Sequence, residues 1–172
     1  MSDKPPAPGG LALIEALVNT LDIETGADSL DTPDGRAVFG LTERDAVAAR
    51  ELREALRTVC LAHAGHRPRG RSTADLDRLL AAAPLRVAVD TDGAAALRPA
   101  AAPDALTSRV AEAIATAVAE GTWLRLKACE AEDCQWAYYD RSPAGRGRWC
   151  SMSVCGARAK MRTYRARRGP AA

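Results

Sequence analysis

The sequence predicts an α+β fold that is mostly α. A helical N-terminal domain with a small β-hairpin is expected at 11–121, and a small C-terminal module made of a β-hairpin and a basic helix at 122–168. Apolar residues recur at helical spacing in the first part, where a period-two run also precedes an Asp-Gly turn. Four cysteines then form two equally spaced pairs near the C-terminus. Residues 1–10, rich in proline, are expected to be a disordered tail, and 169–172 a short C-terminal tail.

The N-terminal domain is expected to begin with a helix over residues 11–21, because their apolar residues share one helical face. Glycines and a proline predict an irregular segment at 22–40. Thr42 is the expected start of a long helix, since Asp45 stands three residues later in a weak form of the capping box. Gly65 is the expected end of that helix.

The long helix has an apolar stripe and a charged side. Five apolar residues are expected to be buried: Val47, Leu52, Ala55, Leu56 and Val59. Six charged residues are expected to face solvent: Glu43, Arg44, Arg50, Arg53, Glu54 and Arg57. Cys60 is predicted to be a small buried hydrophobe. His63 and His66 follow it at a spacing that imitates a ligand cluster, but their place at a helix end favours solvated or capping histidines.

Four further elements complete this domain: a loop at 66–71, a helix at 72–80, a hairpin formed by 85–90 with the residues after Asp92-Gly93, and a helix between Pro103 and Gly121. The hairpin is predicted from strict alternation and from Asp-Gly, which is a strong turn signal. No Gly-rich phosphate loop and no nucleophile elbow occurs in the sequence. We therefore expect a protein without enzymatic activity.

The cysteine pairs predict a zinc site. Cys129 and Cys134 are separated by four residues, as are Cys150 and Cys155, and fifteen residues lie between the two pairs. Structural zinc is held by four ligands in a tetrahedron, and its binding supplies folding free energy to a segment with few apolar residues. Because four cysteines fill all four positions, we predict one structural zinc ion and no catalytic metal. Four unrelated thiols would leave the repeated spacing unexplained.

The residues around the cysteines predict a hairpin followed by a helix. Residues 135–140 have the β-rich composition of a strand, and after a Pro/Gly-rich turn a second strand is expected through 148–149. From about Ser153 onward the chain is rich in strong helix formers. Met161 and Tyr164 are expected to face the segment that carries the four cysteines, called the knuckle below.

The charge of the chain is divided between its two parts. The net charge is +2, but residues 1–120 carry 13 Lys/Arg against 18 Asp/Glu, whereas residues 121–172 carry 11 against 4. Such a basic segment indicates a polyanionic partner, most often nucleic acid. No stretch approaches the roughly 20 apolar residues of a membrane span, and the start lacks a signal-peptide pattern. We therefore expect a cytoplasmic protein without membrane contact.

Several runs of residues resemble a known family. The pair Cys129 and Cys134, Tyr-Tyr-Asp-Arg-Ser at 138–142, Arg-Trp-Cys-Ser-Met at 148–152 and Cys-Gly-Ala-Arg-Ala-Lys at 155–160 resemble the CGNR zinc finger, named for a Cys-Gly-Asn-Arg signature. Leu-Val-Asn-Thr-Leu-Asp at 17–22 and Leu-Arg-Glu-Ala-Leu-Arg at 52–57 resemble the ABATE domain that accompanies this finger in bacterial proteins described as stress-induced transcription regulators. The signature asparagine is Ala157 in this chain.

The resemblance implies a zinc-containing DNA-binding protein in which the last helix meets DNA. It implies that the four cysteines are the zinc ligands and that Arg158 and Lys160 are the basic residues of the signature. The expected DNA contacts are Arg146, Arg148, Arg158, Lys160, Arg162, Arg165, Arg167 and Arg168. Two alternative functions remain open. In the first, the zinc module binds a protein partner or a second copy of the chain. In the second, the helical domain binds a small-molecule effector, and the finger transmits the response.

Overall fold

The computed structural model describes residues 5–66 and 70–168. The expected tails at 1–4 and 169–172, and part of the expected loop at 66–71, lie outside the described residues. Six α-helices and two antiparallel hairpins occur in the described part: α1 Leu11–Val18, α2 Pro33–Ala37, α3 Ala46–His63, α4 Ala74–Leu80, β1 Leu85–Val89, β2 Ala95–Pro99, α5 Leu106–Ala119, β3 Leu126–Ala128, β4 Ala137–Tyr139 and α6 Ala157–Arg168. The predicted α+β, mostly α fold class is confirmed. None of these helices combines the length and the apolar character needed to span a bilayer.

The segment before α3 is more ordered than the sequence predicts. Residues 22–40, expected to be irregular, contain α2 and a 3₁₀ turn at Ser29–Asp31. The Thr32 hydroxyl caps α2 by accepting a hydrogen bond from the N–H of Gly35 at 3.1 Å. The capping box before α3 is present, because the N–H of Thr42 donates to the Asp45 carboxylate at 2.8 Å.

The core is built around α3, which packs against α1, α4 and β3. Because neighbours surround it on several sides, its buried surface is wider than one apolar stripe. Val47, expected to be buried, is 75% exposed, whereas Arg53 and Arg57, expected to face solvent, are 4% and 0% exposed. Their guanidinium groups are buried with hydrogen-bond partners, and the prediction for these three residues was wrong. Cys60 is fully buried, as predicted.

The hairpin β1–β2 forms where the sequence predicts it. Val87 pairs with Leu97, and the turn places Gly93 at φ 83°, a backbone conformation that glycine adopts without strain. The side chain of Asp90 supports the turn by accepting hydrogen bonds from the N–H groups of Asp92 and Ala94.

The hairpin of the C-terminal module differs from the prediction. β4 pairs with β3, which precedes the first cysteine pair, and residues 148–149 form no strand. The chain reverses through the Cys129–Cys134 turn, which brings Leu126 opposite Tyr139. One face of this short hairpin joins the main core, since Leu126, Ala128 and Ala137 belong to the same apolar cluster as the residues of α1 and α3. The two parts that the sequence separates at residue 121 therefore share one core.

The described residues before α1 lie against the folded chain. Ala7 is 5% exposed, and its N–H donates to the carboxylate of Glu15 in α1. Arg141 donates to the carbonyl oxygens of Pro5 and Pro6 at 3.0 and 2.7 Å. The expected disordered tail thus differs from the structure at residues 5–10, because these contacts tether that segment to both parts of the chain.

Candidate metal centre and basic helix

The structure brings the four predicted ligand cysteines together. All four Sγ atoms lie within 4.8 Å of one another. The Sγ atom of Cys150 lies 3.6 Å from that of Cys134 and 3.8 Å from that of Cys155. Tetrahedral zinc with bonds of about 2.3 Å requires sulfur atoms about 3.8 Å apart, so the cluster has the dimensions of a zinc site.

The first cysteine pair is held by a tight turn between β3 and β4. The N–H groups of Cys134 and Gln135 both donate to the carbonyl of Ala131, at 2.9 and 3.0 Å. The N–H of Cys129 donates to the carbonyl of Trp136 at 2.9 Å and so closes the base of the turn. Gln135 has φ 48°, an uncommon value for a residue with a side chain, which lets the backbone turn immediately after the ligand.

In the second pair, Cys150 precedes a π-helical turn at Met152–Gly156, and Cys155 lies within that turn. The N–H of Gly156 donates to the carbonyl of Ser151 at 3.0 Å. A Cβ atom at Gly156 would lie 3.1 Å from the sulfur of Met152 and 3.3 Å from Cδ1 of Trp149, so glycine lets the chain pass close to these side chains. The N–H of Glu130 donates to the carbonyl of Arg148 at 3.0 Å and joins the second pair to the first.

The surroundings of the sulfur atoms suit a metal held by thiolates. Cys129, Cys150 and Cys155 are buried, Cys134 is half-buried, and Tyr138 packs with them in a small separate core. Without an ion, burial and the nearby charge of Cys129 raise the pKa of Cys155, so this thiol keeps its proton at neutral pH. A dication removes that obstacle, because zinc binding displaces thiol protons.

A buried ion pair supports the loop that leads to the second cysteine pair. Asp140 is 1% exposed and accepts hydrogen bonds from Lys127 Nζ at 2.9 Å and from the N–H groups of Gly147 and Ser142 at 2.7 and 3.0 Å. Burial alone would raise the pKa of Asp140, but these donors outweigh it and hold the pKa below its usual range. Arg125 adds hydrogen bonds to the carbonyls of Asp140 and Ser142 at 3.0 and 2.8 Å. The carboxylate therefore fixes the loop beside the metal centre.

Residues 125–168 match the family model described as CGNR zinc finger. The match extends from the residue before β3 to the end of α6, and it contains the four clustered cysteines and the Asp140 ion pair. No curated protein matches the chain. The family match and the geometry of the sulfur atoms together support a zinc-binding module, called the finger below.

Arg57, Asn19 and His63 of the helical part form hydrogen bonds with the backbone of the finger between residues 126 and 137. Arg57 donates to the carbonyls of Gln135 at 3.0 Å and Val18 at 2.8 Å. The Asn19 amide makes a pair of hydrogen bonds with the backbone of Ala137, in which its Nδ2 donates at 3.0 Å and its Oδ1 accepts at 2.7 Å. The Arg57 contact holds the unusual backbone of Gln135, directly after a ligand. The finger is thus anchored to the helical part at Gln135 and at Ala137.

His63 forms the third contact. Its Nδ1 lies 2.8 Å from the carbonyl oxygen of Leu126, and its ring meets Trp123 edge to face, with centroids 4.9 Å apart. Burial lowers the pKa of His63, so the neutral ring donates its proton to the carbonyl. The expectation of a solvated or capping histidine was wrong for His63, because the Trp123 ring and the Leu126 carbonyl enclose it.

Helix α6 carries most of the residues predicted to contact DNA. From 157 to 167 every side chain is exposed except that of Ala159, which is half-buried. The helix packs mainly against the π-helical turn that precedes it. Met161 and Tyr164, expected to face the knuckle, are 50% and 48% exposed. That expectation was wrong, because Trp149 and Trp136 already cover the knuckle.

The predicted DNA contacts divide into paired and unpaired side chains. Arg148 forms a two-nitrogen ion pair with Glu130 and lies over the Trp149 ring at 5.4 Å. Arg158 is paired with Glu24 at 3.2 Å and lies 3.9 Å from Asp133. Five others are exposed and make no ion pair within the described residues: Arg146, Lys160, Arg162, Arg165 and Arg167. The side chain of Arg168 lies outside the described part.

Sequence reasoning missed the supporting residues. Lys127 stands between Leu126 and Ala128, and Asp140 directly follows Ala-Tyr-Tyr at 137–139, so a charge within or beside a short apolar run was the available signal of this buried ion pair. For Asn19 and Arg57 the partners are backbone atoms far along the chain, and the residue types by themselves gave no signal.

Proposed function

We propose that this chain is a DNA-binding protein, a bacterial transcription regulator, in which one structural zinc ion holds α6 in position for DNA. Zinc in this role supplies folding free energy and no catalytic chemistry, since all four ligands come from cysteine. The observation that carries the proposal is the set of exposed, unpaired cations on α6 and on the preceding loop. Guanidinium groups suit phosphate oxygens, and phosphate contacts supply most of the affinity of such proteins.

The rest of the finger supports this function. Carboxylates on a surface repel phosphates, but no acidic residue occurs from Arg141 to the end of the chain. Two of the four acidic residues of the finger are paired before α6 begins, since the Lys127–Asp140 pair is buried and Glu130 binds Arg148. The other two, Glu132 and Asp133, precede Cys134 in the first cysteine turn. A polyanion approaching α6 therefore meets mainly positive charge.

The test measures metal content and DNA binding of the full chain. Wild type should contain one zinc ion per chain and bind a random-sequence duplex with a steep salt dependence. Five released counterions correspond to a slope of log K against log salt of about −4.5. Cys150→Ser should lose the zinc and most of the binding, whereas Cys60→Ala, which removes a buried thiol outside the metal centre, should keep both. Equal binding by wild type and Cys150→Ser, or binding insensitive to salt, would refute the proposal.

A further inference from the structure

Helix α6 presents different chemistry on each of its sides. At 3.6 residues per turn, Arg158, Arg162 and Arg165 lie along one side, and Lys160 and Arg167 lie about half a turn away on the opposite side. We call these the first and second cation rows. Between them runs a stripe of Ala157, Met161 and Tyr164, the base stripe below.

The remaining side of the helix faces the protein at its start. Ala159, Thr163 and Ala166 lie opposite the base stripe; Ala159 is half-buried, whereas Thr163 and Ala166 are exposed. The base stripe therefore points away from the folded body, as the exposure of Met161 and Tyr164 confirms. Cations flank the outward side of this helix on both edges.

We infer that α6 enters the major groove of duplex DNA, with the two cation rows on opposite phosphate backbones and the base stripe against the base edges. This inference rests on the proposed function and adds the form of nucleic acid, the groove and the residues that read sequence. An α-helix with its side chains is about 10–12 Å wide, and the major groove is about 12 Å wide. A single strand offers one backbone and would leave one cation row without phosphates.

The first row contacts the folded body at its start. Arg158 pairs with Glu24 of the helical part at 3.2 Å, and both side chains are partly exposed. Beyond this contact, Arg162 and Arg165 on the first row, and Lys160 and Arg167 on the second, make no ion pair with any residue of the described part of the chain. Each row thus offers two unpaired cations, an equal number for each of the two phosphate backbones of the duplex.

The base stripe suits the groove floor because it is apolar and has one hydroxyl group. Val154, Ala157 and Met161 line an open concavity together with Ser153 and the first-row residues Arg158, Arg162 and Arg165. Apolar side chains in the major groove contact the thymine methyl group, while the arginines beside them reach phosphate or guanine edges. The base stripe therefore discriminates between sequences, and the cation rows do not.

The test uses the full zinc-loaded chain and DNA duplexes of about two helical turns with a random core. Bound duplexes are sequenced, and the enriched duplex, an unenriched duplex and one strand of each are then titrated over a range of salt. Three matched double variants change exposed residues of α6: Arg162→Gln with Arg165→Gln, Lys160→Gln with Arg167→Gln, and Met161→Ala with Tyr164→Ala.

Each cation-row variant should weaken binding to every duplex alike and make the salt slope shallower by about two. The base-stripe variant should keep the wild-type slope but reduce the preference for the enriched over the unenriched duplex by roughly tenfold. Ala157→Asn should change which bases are enriched, because asparagine pairs with adenine in the major groove.

The outcomes separate this inference from the proposed function. Failure of wild type to bind any DNA would overturn both. If the wild type binds duplex DNA, three results would overturn the inference alone. The first is tighter binding to the single strand than to the duplex, and the second is a change in salt slope from only one of the two cation-row variants. The third is enrichment of the same sequences by the base-stripe variant and the wild type. A bulky modification that fills the major groove, such as glucosylated hydroxymethylcytosine, should abolish binding, and tolerance of it would also count against the inference.

Discussion

Arginines on helices α3 and α6 differ in burial and in pairing. In α3, Arg53 and Arg57 are buried, and their guanidinium groups donate to carboxylates, a hydroxyl and backbone carbonyls. In α6, Arg162 and Arg165 are exposed and make no ion pair within the described residues. The residue type and the element type are the same, so neither decides whether an arginine supports the fold or meets a partner.

The difference lies in what surrounds each helix. Asp28 and Glu54 stand beside the α3 arginines, and the hydrogen bond from Arg53 helps lower the pKa of Asp28 although burial acts to raise it. Burial lowers the pKa of Arg57, and the Glu54 carboxylate acts in the opposite direction. No carboxylate follows Arg141 in sequence, so the later arginines of α6 have no local partner. Arginines that remain without carboxylates after folding are the candidates for binding phosphate.

Removal of zinc should have the largest effect on stability. It tests whether α3 and α6 depend on one folded unit. Zinc binding contributes about 10–16 kcal/mol in isolated fingers, which is comparable to the whole stability of an ordinary domain, about 5–15 kcal/mol. We expect chelation or Cys150→Ser to unfold the finger and to lower the melting temperature of the helical part, since Arg57 then loses the Gln135 carbonyl. Thermal unfolding of the helical part and of the finger is measured by circular dichroism and tryptophan fluorescence. A helical melt unchanged by chelation would show that the parts are independent.

Replacement of Arg57 by methionine should have the next largest effect. The side chain is fully buried, and its loss leaves the carbonyls of Val18 and Gln135 without their donor. We expect a loss of about 2–4 kcal/mol in the free energy of unfolding, measured with urea. Arg165→Met is the matched control on α6 and should change stability by less than about 0.5 kcal/mol. Similar losses for both variants would contradict the division between the two helices.

Local patterns predicted much of this structure, and the distance between partners explains the rest. The β1–β2 hairpin follows from Asp92-Gly93, and the metal centre follows from the repeated cysteine spacing. The pairing of β3 with β4 was missed, because a three-residue strand is too short to show alternation. The burial of Arg57 was missed for another reason, since its carbonyl partners lie 39 and 78 positions away in sequence. No helical periodicity contains that information.

His63 provides a smaller, pH-dependent test of the junction between helices and finger. Burial lowers the pKa of its ring in the folded state, so below about pH 6.5 the unfolded chain binds a proton more readily than the folded chain. The free energy of unfolding should therefore decrease as the pH falls from about 6.5, by up to about 1.4 kcal/mol per pH unit until the folded pKa is reached. His63→Asn keeps a donor for Leu126 and removes the titration. Urea unfolding between pH 7.5 and about 5 should show a flatter curve for the variant than for wild type. Parallel curves would mean that His63 titrates normally.

Arg158 lies between the two extremes, and its variant should have the smallest effect on stability. It belongs to α6, yet it pairs with Glu24 at a site where both side chains are partly exposed. Exposed pairs of this kind contribute little, so Glu24→Gln should shift the melting temperature by less than about 2 °C. The same variant releases Arg158 for phosphate, and the salt slope of DNA binding should become steeper by about one. Glu24→Gln combined with Arg158→Gln should remove that gain. If Glu24→Gln instead weakens DNA binding at every salt concentration, the pair serves to orient α6, and Arg158 belongs with the structural arginines of α3.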